Sequence, residues 1–535
     1  MHAGVQRLLL LAASLILTLP VSLDAQQAQD ARRLERLKTE AAAMIDARAK
    51  MIQEGVDMLY SFSELGFQEF ETKRYLTGIL REAGFTIQEN VGGLPSGWVA
   101  VWGSGRPVIA LGSDIDGIPQ SSQTPGVTTH RPMVEGGPGH GEGHNTGMPL
   151  VVASALVVKE LMQRENLSGT LKVWPGVAEE LLGGKAYFVR AGVFRDVDAT
   201  IFTHVASGMG TSWGTRQGTG LVSVEYSFTG ETAHSAGSPW AGRSALDAVE
   251  LTNTAWNFRR EHLRPATRVH YIVKDGGDQP NVVPRTASVW YYLRETTYQG
   301  IKNLFEIGET IAKSAAAMTG TELTGVRILG AAWPQHFNRP IAEAMQKNIE
   351  RVGMPAWDEK DQQFARALQR DMGSRNPQGL STRVSPLQGP VPDSENRGGG
   401  SDDIGDISWV VPTVTLRFPA NVGAGPGHHW SAGVASATPV AHKGSLAGAK
   451  VVALTVLDLL GTPALVDSAR AYFRDVQTRD QQYVSFLRDS DLPPVELNAD
   501  RMARYKEALR ARYYDPARFR TYLEQLGIPY PPPQP

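Results

Sequence analysis

Roughly residues 30 to 85 place apolar side chains at helical spacing, among them Ile45, Met51, Ile52, Val56, Met58 and Leu59, and the pattern predicts two helices. Two near-continuous apolar runs follow, Trp98 to Trp102 and Pro107 to Gly112, parted by Gly103-Ser104-Gly105. Such runs suit strands buried on both faces of an α/β sheet. A helix over Pro149 to Arg164 and strands over Gly169 to Pro175 and Ala199 to Thr203 continue the alternation. From Leu221 the period changes: strand Leu221 to Thr229, helix Arg243 to His262, strands Arg268 to Val273 and Ala287 to Arg294, helix Ile301 to Met318, strand Glu322 to Leu329. This β-α-β-β-α-β order predicts a ferredoxin-like α+β unit inserted into the α/β fold. The α/β pattern resumes with a helix over Ile341 to Val352, a strand over Thr413 to Phe418 and a helix over Gly444 to Leu460. Between them, residues 357–400 are rich in polar residues, Pro and Gly. They predict a long excursion with one helix, Gln362 to Met372.

A chain of 535 residues exceeds one ordinary core. The expected division is a signal peptide over 1–25, a catalytic domain over 26–218 and 334–465, an insertion over 219–333, and a helical extension over 466–535. Arg7 followed by the apolar run Leu8 to Val21 and then Leu23-Asp24-Ala25 reads as an export signal, too short for a confident membrane span. The expected location is therefore periplasmic or secreted. Fifty-three basic against 55 acidic residues give no electrostatic reason for a nucleic-acid or membrane partner. With no cysteine, a metal can sit only among His, Asp and Glu.

Three predicted strands end in ionisable residues: Asp114 and Asp116, Glu179-Glu180, and His204. In open α/β sheets the ligand site lies at the carboxyl ends of the strands, so these ends predict one shared site. The segment Gly139-His140-Gly141-Glu142-Gly143-His144-Asn145 packs two imidazoles and a carboxylate between glycines, a set suited to zinc and its first-row neighbours.

An ordered series of segments carries a family resemblance. It comprises Asp116-Gly117-Ile118-Pro119, Gly139 to Asn145, Ala178-Glu179-Glu180, Gly230 to Ser235, Arg243 to Ala248, Asn281-Val282-Val283-Pro284, Gly405 to Trp409 and Ala441 to Gly444. Together they resemble the metal-dependent amidohydrolase and carboxypeptidase superfamily that includes glutamate carboxypeptidase. The resemblance implies a zinc-peptidase-like catalytic domain with a mixed sheet flanked by helices, and a lid or dimerisation role for the insertion. It implies one or two divalent ions (Zn or Mn, or Co) on His144, Glu180, His204 and His428, with Glu179 as general base and Asp116 orienting a ligand. His234 would polarise the scissile carbonyl, often from a partner subunit of a homodimer, and Asn281 and Arg294 would contact a substrate carboxylate.

One position departs from the pattern. Glu142 stands where this branch of the family usually has a metal-binding cysteine. A carboxylate is a harder ligand, so Glu142 is expected to bind metal and to shift preference towards manganese or cobalt. His140 is read as shaping the loop, while His429 and His442 compete with His428 for the C-terminal ligand. The expected reaction is hydrolysis of the amide bond of an N-acyl or N-aroyl amino acid, or of a dipeptide-like small molecule, bearing a free carboxylate. The alternatives are a catalytically weakened periplasmic binding protein on the same fold and a metal-dependent esterase or deacetylase.

Overall fold

The computed structural model describes residues 23–532. The chain opens with α1 (Leu23–Asp46), α2 (Ala49–Phe62) and α3 (Phe70–Glu82). Three helices thus stand where periodicity predicts two. A turn at Ala47-Arg48 and a left-handed residue, Ser63 at φ 48°, divide a pattern that reads as continuous. The expected signal peptide lies outside the described residues, except for its last three positions, which begin α1.

Next come β1 (Thr86–Glu89), β2 (Trp98–Ser104), β3 (Val108–Asp114), α4 (Gly147–Glu165), β4 (Gly169–Gly176), α5 (Lys185–Arg190) and β5 (Ala199–Ala206). A two-residue strand, β6 (Gly214–Thr215), precedes β7 (Gly220–Thr229), α6 (Ala245–Arg259), β8 (Arg268–Asp275), β9 (Thr286–Glu295), α7 (Tyr298–Thr319) and β10 (Glu322–Ala332). Then β11 (His336–Phe337) pairs back with β6. The chain continues through α8 (Arg339–Val352), α9 (Glu359–Asp371), α10 (Ile404–Ser408), β12 (Thr413–Pro419), α11 (Trp430–Gly433), α12 (Pro439–Gly461), α13 (Pro463–Tyr472), α14 (Ala499–Arg510) and α15 (Tyr522–Leu526).

The larger sheet has the order β1-β2-β4-β3-β5-β12, mixed because β2 runs antiparallel to β1 and β4 while β4, β3, β5 and β12 are parallel. Every residue of β3 is buried, which is why its sequence shows no polar alternation. Burying side chains such as Ile109, Leu111, Val173 and Ile201 contributes about 1.5–3 kcal/mol each. Helix α12 is long and apolar enough to cross a membrane. Here it is a core helix, packed on α1, α2, α4 and α8, and most of its apolar stretch is buried inside the protein. The parallel strands put their carboxyl ends on one edge, and that edge carries the site.

The second sheet, β10-β7-β9-β8, is antiparallel throughout. Helices α6 and α7 pack against it around Tyr226, Trp256 and Tyr291. The excursion over residues 357–400 carries α9, started by a capping box between Asp358 and Asp361. The extension over 466–535 is less helical than its composition suggests. Pro493-Pro494 falls in an irregular stretch between α13 and α14, and prolines lack the N–H a helix needs. It is nevertheless fastened to the body: Trp333 donates to the Val484 carbonyl at 2.8 Å and Tyr187 to that of Leu492 at 3.1 Å.

Candidate metal centre

At the exit of β4 the chain makes one 3-10 turn, Glu179–Leu181, between Ala178 (φ 52°) and Leu182 (φ 51°), both left-handed. Such conformations carry a cost for non-glycine residues and persist where neighbours enforce them. Two buried acids do so. Glu69 accepts the Ala178 N–H at 2.8 Å, while the oxygens of Asp116 accept the N–H groups of Glu179 and Glu180 at 3.2 and 3.1 Å. The turn therefore presents two adjacent carboxylates in different directions. His144 opens the 3-10 turn that leads into α4, and its Nδ1 approaches the Asp116 carbonyl at 3.2 Å. His204 lies inside β5, with Nδ1 2.9 Å from the Val205 carbonyl. That contact turns Nε2 towards the site, the orienting arrangement common around metal-binding imidazoles.

Glu142 is central. Its Oε2 lies 3.5 Å from Nε2 of both His144 and His204, and its Oε1 lies 2.9 Å from Nε2 of His428. His428, itself left-handed at φ 54°, also reaches Glu180 Oε2 at 3.3 Å. His144 stands 4.0 Å from Glu179 Oε2 and 3.8 Å from Glu180 Oε1. Donor atoms of Glu142, His144 and Glu180 converge within 4.8 Å of one another, as do those of Asp114, His144 and His204. His144 Nε2 and Glu180 Oε1 are buried without a hydrogen-bond partner. Buried polar atoms are seldom left so, and all-N/O donor sets of this kind suit a divalent first-row cation. The residues therefore fit the metal that their chemistry implies.

The electrostatics agree. Burial works against charge on Glu142, but the imidazoles of His144, His204 and His428 beside it override burial and hold the carboxyl well below its usual range. Burial likewise opposes a proton on His144, yet Asp116 and Glu142 hold it well above the usual imidazole value. His428 is raised, chiefly by Glu142, whereas burial and then Arg417 lower His204. Burial, with Asp114 and Asp402 beside it, pushes Glu179 well above the usual carboxylate value; burial also lifts Glu180, to about 8. A carboxyl raised towards neutrality is suited to accepting and returning a proton.

Of the residues expected at the site, Asp116, Glu142, His144, Glu179, Glu180, His204 and His428 converge. Arg294 lines a cavity of about 360 Å³ together with Glu142, Glu179, Glu180, His204 and His428, donating to Ser401 Oγ at 2.9 Å and to His270 Nε2 at 3.0 Å. His234 and Asn281 do not reach this cavity within one chain. Both are exposed on segments that connect elements of the insertion, after β7 and before β9, where the Ser235 N–H bonds to the Asn281 carbonyl at 3.1 Å and His234 Nδ1 accepts N–H bonds from Ala236 and Gly237. His442 is a correction: it lies at the α2–α12 packing, 2.7 Å from Asp57 Oδ1, and is no candidate ligand. His429 caps α11 against Ser431 and tilts onto Trp430. His140 is buried against the Leu59 carbonyl, its pKa pushed down to about 3 by burial. Trp174 stacks on Phe202 in the core.

Sequence reasoning missed a buried ionic cluster below the turn. Lys185 Nζ donates to Asp114 at 2.6 Å, to Asp402 at 3.4 Å and to Asp403. Asp403 also accepts the Lys185 backbone N–H at 3.0 Å. The signal available was Asp114, two residues before Asp116 at the same strand exit. The pair Asp402-Asp403 sits in a polar loop, where acids are ordinarily solvated. Arg417 was missed too: the register of β12 on β5 sets it opposite His204.

The family model for Peptidase family M20/M25/M40 matches residues 110–389. One of the p-aminobenzoyl-glutamate hydrolase subunits of Escherichia coli (strain K12) is 32% identical over 460 residues, 82% of this chain and 95% of that protein. An Xaa-Arg dipeptidase of Mus musculus is 27% identical over 83% of this chain and 94% of its own length. A structure assigned as an aminohydrolase from methicillin resistant Staphylococcus aureus superposes with a TM-score of 0.55 at 20% identity. It covers 79% of this chain and all of that one.

Proposed function

The chain belongs to peptidase family M20/M25/M40 and is a metal-dependent hydrolase of amide or peptide bonds, and we propose that its substrate is an N-acyl or N-aroyl amino acid, or a dipeptide-like molecule, with a free carboxylate. The observation that carries the reading is Glu179: a buried carboxyl 4.0 Å from His144 beside the Glu142–His144–Glu180 donor set, facing the cavity that Arg294 also lines. The names of two relatives, p-aminobenzoyl-glutamate hydrolase and Xaa-Arg dipeptidase, each describe an amide of an amino acid.

His144, Glu180, His204, His428 and Glu142 would hold divalent metal, with the Glu142 carboxylate favouring manganese or cobalt over zinc. The bound cations would supply Lewis acidity, acidifying water and polarising the scissile carbonyl. Glu179 accepts the proton of the attacking water and returns it to the leaving amine. Asp116 keeps Glu179 aimed through its backbone, and Arg294 pairs with the substrate carboxylate, the planar geometry its guanidinium matches. His234 completes the oxyanion contacts from the partner in a homodimer, with Asn281 beside it, and the insertion serves as lid and dimer contact. The chain is exported through its N-terminal signal, which places the reaction in the periplasm or outside the cell.

The test is a hydrolysis screen of N-acyl amino acids, dipeptides and matched esters, with metal-free protein reloaded with zinc, manganese or cobalt. Turnover of amides with a free carboxylate, strongest with manganese or cobalt, is expected. Turnover of esters alone, or of nothing with any metal, overturns the reading.

A further inference from the structure

Three cavities meet in series across the site. The central one shares Glu180, Arg294 and His428 with a cavity against the inserted sheet, and shares Gln217, Gln335 and Arg417 with a third; the two outer cavities have no residue in common. The third measures about 360 Å³ and lies between β5, β12 and the excursion, with Ser207, Thr211, Ser212, Ser385, Gln388 and Thr415 on its walls. Its lining includes two arginines, Arg216 and Arg417, and no Asp or Glu. Arg216 is engaged by Gln388 Oε1 and by the Gly389 carbonyl at 3.2 Å, while Arg417 forms no ion pair among the described residues. Thr415 lies two residues before Arg417 on β12, hence on the same face of the strand. It is 3% exposed, and its Oγ1 is buried without a partner.

A guanidinium without an ion pair, a second arginine, several hydroxyls and a partnerless buried hydroxyl, in a cavity that no acid lines, form a receptor for an oxyanion, although Arg417 also faces the central cavity, where its charge helps to lower Asp402. Arg294 lines the central cavity as well, but not this third one. Resting on the hydrolase reading above, the geometry points to a second anion subsite at Arg417 and Thr415, one that takes a carboxylate on the acyl half of the substrate. The preferred substrates are then anionic at both ends: half-amides of a short dicarboxylic acid with an amino acid, the amino acid's own carboxylate at Arg294 and the scissile amide between.

Calorimetry on zinc-loaded, full-length protein carrying Glu179→Gln, so that ligand is not consumed, tests this with N-succinyl-leucine and its neutral counterpart N-succinamoyl-leucine. The succinyl compound is expected to bind about ten-fold more tightly, on the scale of a charge-assisted bond. Arg417→Gln is expected to bring the two within about three-fold, and Thr415→Val to narrow the gap in part. Equal affinities in the parent, no binding of either compound, or a preference that survives Arg417→Gln overturns the subsite. N-acetyl-glutamate carries its second charge on the amino acid; an Arg417-dependent preference for it instead overturns the assignment to the acyl half. The hydrolase reading fails separately, if protein with Glu179 intact cleaves none of these amides while the calorimetric preference persists.

Discussion

Glu142 lies within 3.5 Å of the ring nitrogens of three histidines, and no other side chain described at the site does so. Its removal should cost metal before it costs fold. Metal analysis of Glu142→Ala after dialysis is expected to give at most half the ions per chain found in the parent, with an unchanged unfolding transition; unchanged metal content would exclude Glu142 as a ligand. A second residue-scale consequence concerns Glu64, whose oxygens accept the Glu71 and Thr72 N–H groups at the start of α3 at 2.8 and 2.9 Å. Burial pushes its carboxyl from 4.5 up to about 8. The folded state thus keeps a proton that the unfolded chain releases, so this contribution to stability is complete below pH 4.5 and is lost as pH rises towards about 8. Glu64→Gln cannot ionise. Its melting temperature relative to the parent should improve steadily from pH 5 to pH 8; a constant difference would show that Glu64 does not titrate in the fold. At this scale the sequence was informative where residue type and chemistry coincide, as at His144 or Glu179-Glu180. It was silent on Glu64, Glu69 and Asp403, because a buried acid and a solvated one look alike in a string of letters.

At the scale of elements, strands were legible because burial on both faces leaves an apolar run: β2, β3, β4 and β12 begin and end within about two residues of the pattern. Helix breaks were less so, since the left-handed Ser63 and the turn before α2 interrupt a periodicity that does not itself change. The turn Glu179–Leu181 depends on acids from other elements, which no local pattern contains. Below it, Lys185 on α5 offsets Asp114 from β3 and Asp402 and Asp403 from the loop before α10. Removing one member of a buried ionic set leaves the others uncompensated, at about 3–5 kcal/mol. Lys185→Met should therefore lose about that much in chemical denaturation, and adding Asp403→Asn should restore part of it. A loss below about 1 kcal/mol would mean the cluster is hydrated rather than sealed.

Across the whole molecule, the inserted sheet turns its exposed edge strand outwards, with Tyr271, Ile272 and Val273 in solvent, and leaves His234 away from the cavity of its own chain. If a partner supplies His234, mixing inactive His234→Ala with inactive Glu179→Gln should restore up to about a quarter of parental turnover, the share of sites expected to hold both intact residues under random pairing. Light scattering should report a dimer. No recovery on mixing, or a fully active monomer, would show that no partner supplies His234. The order of segments along the chain disclosed the architecture, but not what a second copy adds, because symmetry leaves no mark in a single sequence.

The central claim is that this chain hydrolyses amides at the Glu142–His144–Glu180 centre with Glu179 moving the proton. Turnover and bound metal measured together on Glu179→Gln test it most directly. Full metal content with turnover lowered by about 10²–10⁴ is the predicted result, and near-parental turnover at the same metal content would contradict the account.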